Sequence, residues 1–191
     1  MVKQAVILGN GISRKTVDLD KLRKENLGSI YGCNAIIRDF TPDYLIAIDD
    51  ILIDEIIKSS FPKDRFYVPQ GDELYEPAHY NPNRPKNNAG MVAMNLAIGH
   101  GANRLLCFGM DFLIADYSYN LHNVYSGSAG YEMTTSYVDC MKRVEYFNWF
   151  AKKNTFVEFI ILFPKEIEEF RPLEATNVIG KRFWPEILKS D

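Results

Sequence analysis

Residues 3–13 read KQAVILGNGIS, and no other stretch limits the fold as strongly. Ala5, Val6, Ile7 and Leu8 form an apolar run without polar alternation, the pattern of a strand buried on both faces of a parallel sheet. The run ends in Gly9-Asn10-Gly11, where two glycines allow positive φ and let backbone amides approach a ligand with no Cβ in the way. Ser13 adds a hydroxyl near the next turn. A glycine-rich turn at the carboxyl end of a first parallel strand is where open α/β sheets bind nucleotide phosphate or ribose; it is also an ordinary tight turn. The full dinucleotide fingerprint needs glycine at position 14, where Arg14 stands, so an NAD or FAD enzyme is not expected.

The remaining strands and helices alternate along the chain. Residues 29–33 (SIYGC) and 44–48 (YLIAI) read as a second and a third strand, and residues 66–68 offer a short fourth. Residues 104–109 (RLLCFG) and 156–163 (FVEFIILF) supply two more. Between them fall a surface helix around Leu19, Leu22 and Leu27, an amphipathic helix striped by Leu52, Ile53, Ile56 and Ile57, and an amphipathic helix carrying Val138, Met141, Val144, Phe147 and Phe150. Residues 91–100 (MVAMNLAIGH) are apolar nearly all round, as in a central buried helix whose start offers free amides near the preceding loop. Pro164 is expected to start a short C-terminal helix or arm ending in Trp184 and Pro185. The layout implies an α/β fold, a mainly parallel sheet sandwiched between helices in three layers.

Two stretches interrupt this order. Residues 69–88 are rich in proline, glycine and asparagine and carry Tyr75, His79, Tyr80, Arg84 and Lys86, side chains suited to gripping an anion. Residues 113–135 are dense in tyrosine, serine and glycine and include Tyr119 and His122. Both are expected to be loop inserts in one domain of 191 residues, flanking a pocket and ordering on ligand.

Polar residues stand at the strand exits. Asn34 follows the second strand and can contact a ligand or tie down its own loop. Asp49 and Asp50 follow the third strand; either can cap the next helix, or Asp49 can accept from ribose hydroxyls. Asp111 follows the strand at 104–109.

Composition narrows the partners. A hydrophobic content of 47% in 191 residues supports one substantial core. The net charge of −3 gives no general attraction for nucleic acid. No apolar stretch approaches the roughly 20 residues that span a bilayer, and the start of the chain carries no signal-peptide pattern, so a soluble, cytoplasmic protein is expected. Cys33, Cys107 and Cys140 are far apart among apolar neighbours and read as reduced core residues. Whether the chain forms a homo-oligomer is not legible in its residues.

Residues 7–13 (ILGNGIS), 31–34 (YGCN) and 87–112 (NNAGMVAMNLAIGHGANRLLCFGMDF) together resemble the bacterial sialyltransferases of glycosyltransferase family 42. The GNG opening is also similar to a wider group that includes 6-hydroxymethylpterin diphosphokinases. The resemblance implies a Rossmann-like nucleotide-binding domain that takes a CMP-activated sugar as donor and a glycan-type acceptor, with no catalytic metal and no further cofactor. It implies nucleotide contacts at Asn10, Gly11, Ser13, Asn34, Asn88 and Gly90, with Asp49 where the family has asparagine, and a phosphate-holding tyrosine at Tyr119. The family's proline after GNG is Ile12 here, the tyrosine after its GIDF is Leu113, and its catalytic histidine position matches Gly130-Tyr131-Glu132.

Three functions follow for test. A glycosyltransferase inverting by direct attack needs a base near pH 7 for the acceptor hydroxyl, and His122 has a suitable intrinsic pKa, with Asp111 or Glu132 as substitutes. A diphosphokinase-like enzyme would need carboxylates for magnesium, from Asp49, Asp50 and Asp111. A nucleotide-binding module without catalysis is the third.

Overall fold

The computed structural model describes residues 1–70, 87–164 and 175–182. Seven strands, β1 (Gln4–Leu8), β2 (Ser29–Cys33), β3 (Tyr44–Ile46), β4 (Phe66–Tyr67), β5 (Arg104–Phe108), β6 (Glu158–Phe163) and β7 (Val178–Arg182), form one sheet in the order β4-β3-β2-β1-β5-β6-β7. Every pairing is parallel. This is a doubly wound α/β sheet of Rossmann-like type, and the order reverses between β1 and β5.

The helices are α1 (Leu19–Lys24), α2 (Asp50–Lys58), α3 (Ala89–Gly99), α4 (Tyr117–Asn120) and α5 (Tyr137–Lys153). They cover both faces, and the strands show why the apolar runs carry no alternation. Ala5 and Ile7 of β1 turn toward one cluster with Met91, Ala93, Ala97 and Phe147, so α3 and α5 lie on that face. Val6 and Leu8 turn toward the other, with Leu22 of α1 and Ile56 of α2. Successive side chains point to opposite faces, and both faces are dry. Each fully buried Leu, Ile or Phe in these layers contributes on the order of 1.5–3 kcal/mol. Ala93 and Ala97 are both fully buried, which lets α3 approach the sheet closely.

Two edges differ from expectation. β3 is three residues long, ending at Ile46: Ala47 N makes the last ladder bond, to the Tyr67 carbonyl of β4 (3.2 Å), and the next amide, Ile48 N, donates to the Asn34 side chain instead (3.3 Å). Residues 178–182, expected within a C-terminal helix or arm, form edge strand β7 against β6. Asn177 fixes that edge: its Nδ2 donates to the carbonyls of Ala151 (3.0 Å), Asn154 (3.0 Å) and Val157 (2.9 Å), pinning the α5–β6 connection. The run Val178-Ile179 is too short for a sequence period, and only the neighbouring strand makes it one. Most of the proline-rich stretch at 69–88 and the arm around Trp184 lie outside the described residues. Among the described residues no helix is long and apolar enough to cross a membrane. Cys33, Cys107 and Cys140 are buried and take part in no disulfide.

Candidate functional site

The exits of β1 and β5 are pressed together, and this explains the glycines. Gly9 N donates to the Phe108 carbonyl (2.8 Å) and Gly11 N to the Gly109 carbonyl (3.0 Å). A Cβ on Gly9 would lie 2.6 Å from the Gly109 oxygen, and one on Gly11 would lie 2.3 Å from Asp111 Cγ. Neither uses the positive φ that glycine allows. Gly11 has φ −57°, and the left-handed residue of this crossing is Gly109 at φ 66°. Close approach of two backbones is the requirement, not an unusual dihedral.

Asp111 locks the crossing. It is 3% exposed and accepts from the Ser13 amide (2.7 Å) and the Ser13 hydroxyl. Burial pushes its carboxyl up to about 6, and the two Ser13 bonds pull in the opposite direction. Arg14, standing where a dinucleotide fingerprint has its third glycine, is 3% exposed. Its guanidinium pairs with Asp39 (3.3 Å) and donates to the Tyr125 hydroxyl (2.9 Å), which itself donates to Asp39. The tyrosine-rich segment is thereby tied beneath the β1 turn.

Asparagines join the other strand exits. Asn34 adopts φ 51°, a left-handed conformation that asparagine tolerates. Its Nδ2 donates to Asp49 (2.8 Å) and its Oδ1 accepts from Ile48 N (3.3 Å), so the β2 and β3 exits are cross-linked. Asp49 occupies the N-cap position of α2 without making a side-chain capping bond. Asn10 donates through Nδ2 to the Cys33 carbonyl (2.9 Å) and to the Tyr131 hydroxyl (3.0 Å); its Oδ1 is buried with no partner among the described residues. Burial pushes the Tyr131 phenol up to about 12. Asn88 caps α3, its side chain accepting from Met91 N (2.9 Å). Ala89 and Gly90 follow as the first residues of α3, where amides have no intrahelical acceptor.

These walls enclose a cleft of about 440 Å³ at the carboxyl edge of the sheet. Asn10, Gly11, Asn34, Asp49, Asn88, Gly90, Asp111 and His122 all line it. Ser13 stands behind the wall, bonded to Asp111. Tyr119 packs against the core on the α3/α5 face and is not among the lining residues. The segment at 113–135 closes one side. Val124 N donates to the Asn10 carbonyl (2.8 Å), Asn123 bridges to Gly11, and Arg38 donates to Ser128 Oγ (2.8 Å) and the Ala129 carbonyl (3.0 Å). Arg38 is held in turn by Glu55 through two bonds of 2.8 Å and 2.5 Å.

Several lining residues escaped the sequence reading: Asn120, Asp139 and Arg143. One signal was present, since Ser136 stands three residues before Asp139 and caps α5 by accepting from the Asp139 amide (3.1 Å). Arg143 falls among the charged residues of an amphipathic helix, where periodicity marks only a solvated face. The lining carries carboxylates at Asp49, Asp111, Glu132 and Asp139 and, among the described residues, one guanidinium, Arg143. No three His, Cys, Asp or Glu side chains among the described residues gather as a metal-binding set. No protein-family model, curated protein or solved structure matches the chain.

Proposed function

We infer that the cleft is the donor site of a glycosyltransferase that uses a CMP-activated sugar without a metal. The observation that carries the reading is the convergence of Asn10, Asn34, Asp49 and the start of α3 on one cleft at the topological switch point, where doubly wound sheets bind nucleotides. Charge favours the particular nucleotide class. A lining with four carboxylates and one arginine suits a single phosphodiester charge surrounded by hydroxyls better than a nucleoside diphosphate. Asp49, held by Asn34, and the unpartnered Oδ1 of Asn10 are acceptors for hydroxyl or amino groups of the nucleoside. The first amides of α3 are the donors for the phosphate.

In the transfer step the acceptor hydroxyl oxygen attacks the anomeric carbon as the sugar–phosphate bond breaks. The bond's electron pair leaves with CMP, and the hydroxyl proton passes to His122, an exposed imidazole on the cleft wall. Asp111 is a weaker candidate for that base, because both its oxygens are engaged by Ser13. The same engagement, with Asp49 bonded to Asn34, leaves the diphosphokinase alternative short of free carboxylates.

Calorimetric titration of CMP in EDTA and in magnesium tests the reading. Wild type should bind in both buffers. Asn10→Ala should lose about 1 kcal/mol, roughly five-fold in affinity, as fits one hydrogen bond to a neutral donor. His122→Ala should keep CMP affinity and lose transfer. Absence of CMP binding in either buffer refutes the reading, and binding only with magnesium moves the choice to the diphosphokinase class.

A further inference from the structure

The wall formed by α4 and α5 contains groups that the donor site leaves unused. Asn120 closes α4 and is 3% exposed. Its Nδ2 donates to the carbonyls of Ile114 (3.0 Å) and Ala115 (3.4 Å), which fixes the amide's orientation, and its Oδ1 is buried with no partner among the described residues. A buried amide oxygen so committed can only accept, and it is left wanting a donor. Arg143 lies on the same wall. It sits one turn beyond Cys140, whose thiol donates to the Asn120 carbonyl (3.0 Å). Arg143 Nη1 donates to Thr135 Oγ1 (3.3 Å), and the Thr135 amide donates to the Leu121 carbonyl (2.9 Å). The Nε of Arg143 is buried with no partner, and no carboxylate among the described residues forms an ion pair with this guanidinium. One network therefore ties together a committed acceptor and a cation with an unused donor, both in the cleft lining.

We propose that Asn120 and Arg143 form a subsite for an oxyanion that carries a hydroxyl on a neighbouring carbon. The guanidinium takes the oxyanion through planar, charge-assisted hydrogen bonds, and Asn120 Oδ1 accepts the hydroxyl proton. Amines are repelled by Arg143, and a group with only acceptors meets the lone pairs of Asn120. Asp139 and Glu132, also in the lining, limit the ligand to one such charge here. Two sources share this chemistry, a phosphorylated polyol and a sugar acid. The inference deepens the glycosyltransferase reading and rests on it only for the cleft as a ligand site. Asn120 Oδ1 and Arg143 Nε are closed to bulk water, so the wall shifts locally to admit the ligand, and the side-chain resonances of both residues report it.

The test is an NMR titration of the full chain with glycerol 3-phosphate, gluconate and propyl phosphate, the last lacking the hydroxyl. Glycerol 3-phosphate or gluconate should bind and move the Asn120 and Arg143 side-chain signals, the tighter of the two identifying the source. Arg143→Gln should weaken that binding about tenfold or more. Propyl phosphate should bind several-fold more weakly than glycerol 3-phosphate, and Asn120→Ala should erase that difference. Where Asn120→Ala fails to fold, Arg143→Gln and the hydroxyl comparison on wild type carry the test. The subsite is overturned if neither hydroxylated probe binds, if Arg143→Gln binds them like wild type, or if propyl phosphate matches glycerol 3-phosphate. CMP binding by a protein whose Arg143→Gln variant binds both hydroxylated probes like wild type leaves the nucleotide reading standing while overturning the subsite. Binding of either probe through Arg143 in a protein that ignores CMP does the reverse.

Discussion

Replacing Asp111 by asparagine should flatten part of the protein's stability-versus-pH curve. The carboxyl moves from its ordinary value of 3.8 to about 6 on folding, because burial penalises the ionised form more than the Ser13 bonds favour it. The folded state therefore binds the proton more tightly than the unfolded chain. At about 1.4 kcal/mol per tenfold, protonated Asp111 stabilises the fold by about 3 kcal/mol relative to the ionised form. That contribution is fully present below pH 3.8, declines as pH rises, and is gone above about 6. Asparagine has nearly the same shape, still accepts the Ser13 amide, and can donate to the Ser13 hydroxyl, but does not titrate. Urea unfolding at pH 4, 5, 6 and 7 gives both stabilities, and their difference removes the contributions of the other carboxylates. Wild type should lose about 2 kcal/mol relative to Asp111→Asn between pH 4 and pH 7. A difference that stays constant within about 0.5 kcal/mol, or that moves the other way, refutes the argument from burial.

Gly11→Ala should destabilise by about 2–3 kcal/mol in thermal melts, since its Cβ would overlap the Asp111 carboxylate, whereas Gly99→Ala, with nothing within 4 Å of the new Cβ, should stabilise α3 by about 0.5–1 kcal/mol. Arg38→Ala should speed amide exchange across residues 125–131 roughly tenfold with little change in β1 and β5, because Arg38 joins Glu55 to Ser128 and Ala129; uniform acceleration would show that the segment is not a separate opening unit. Native thiols should resist labelling at pH 8 until the protein unfolds, as burial raises Cys33 to about 12 and Cys107 further still; rapid labelling of folded protein would show the cleft wall at Cys33 to be open.

The strand–helix order was legible because it is local. Unbroken apolar runs such as Ala5 to Leu8 and Leu105 to Phe108 imply two dry faces wherever the strands sit in the sheet. Those runs end at Asn10, Asn34, Asp49 and Asp111, so the sequence alone also implied that these residues share the sheet's carboxyl edge. Each side chain's work, however, depends on partners that strand order brings together. Ser13 meets Asp111 across 98 residues, and Asn10 meets Tyr131 across 121. A reading along the chain therefore left Asp49 open between a cap and a ribose acceptor, placed Ser13 at a ligand only through the family resemblance, and could not say that the glycines serve the close approach of β1 to β5. The α4–α5 wall was hidden for the same reason: helical periodicity separates a polar face from an apolar one, but cannot say whether that polar face meets water or a cleft. Sheet order and the packing of α5 made that choice, turning Arg143 toward the cleft that Asn120 also lines.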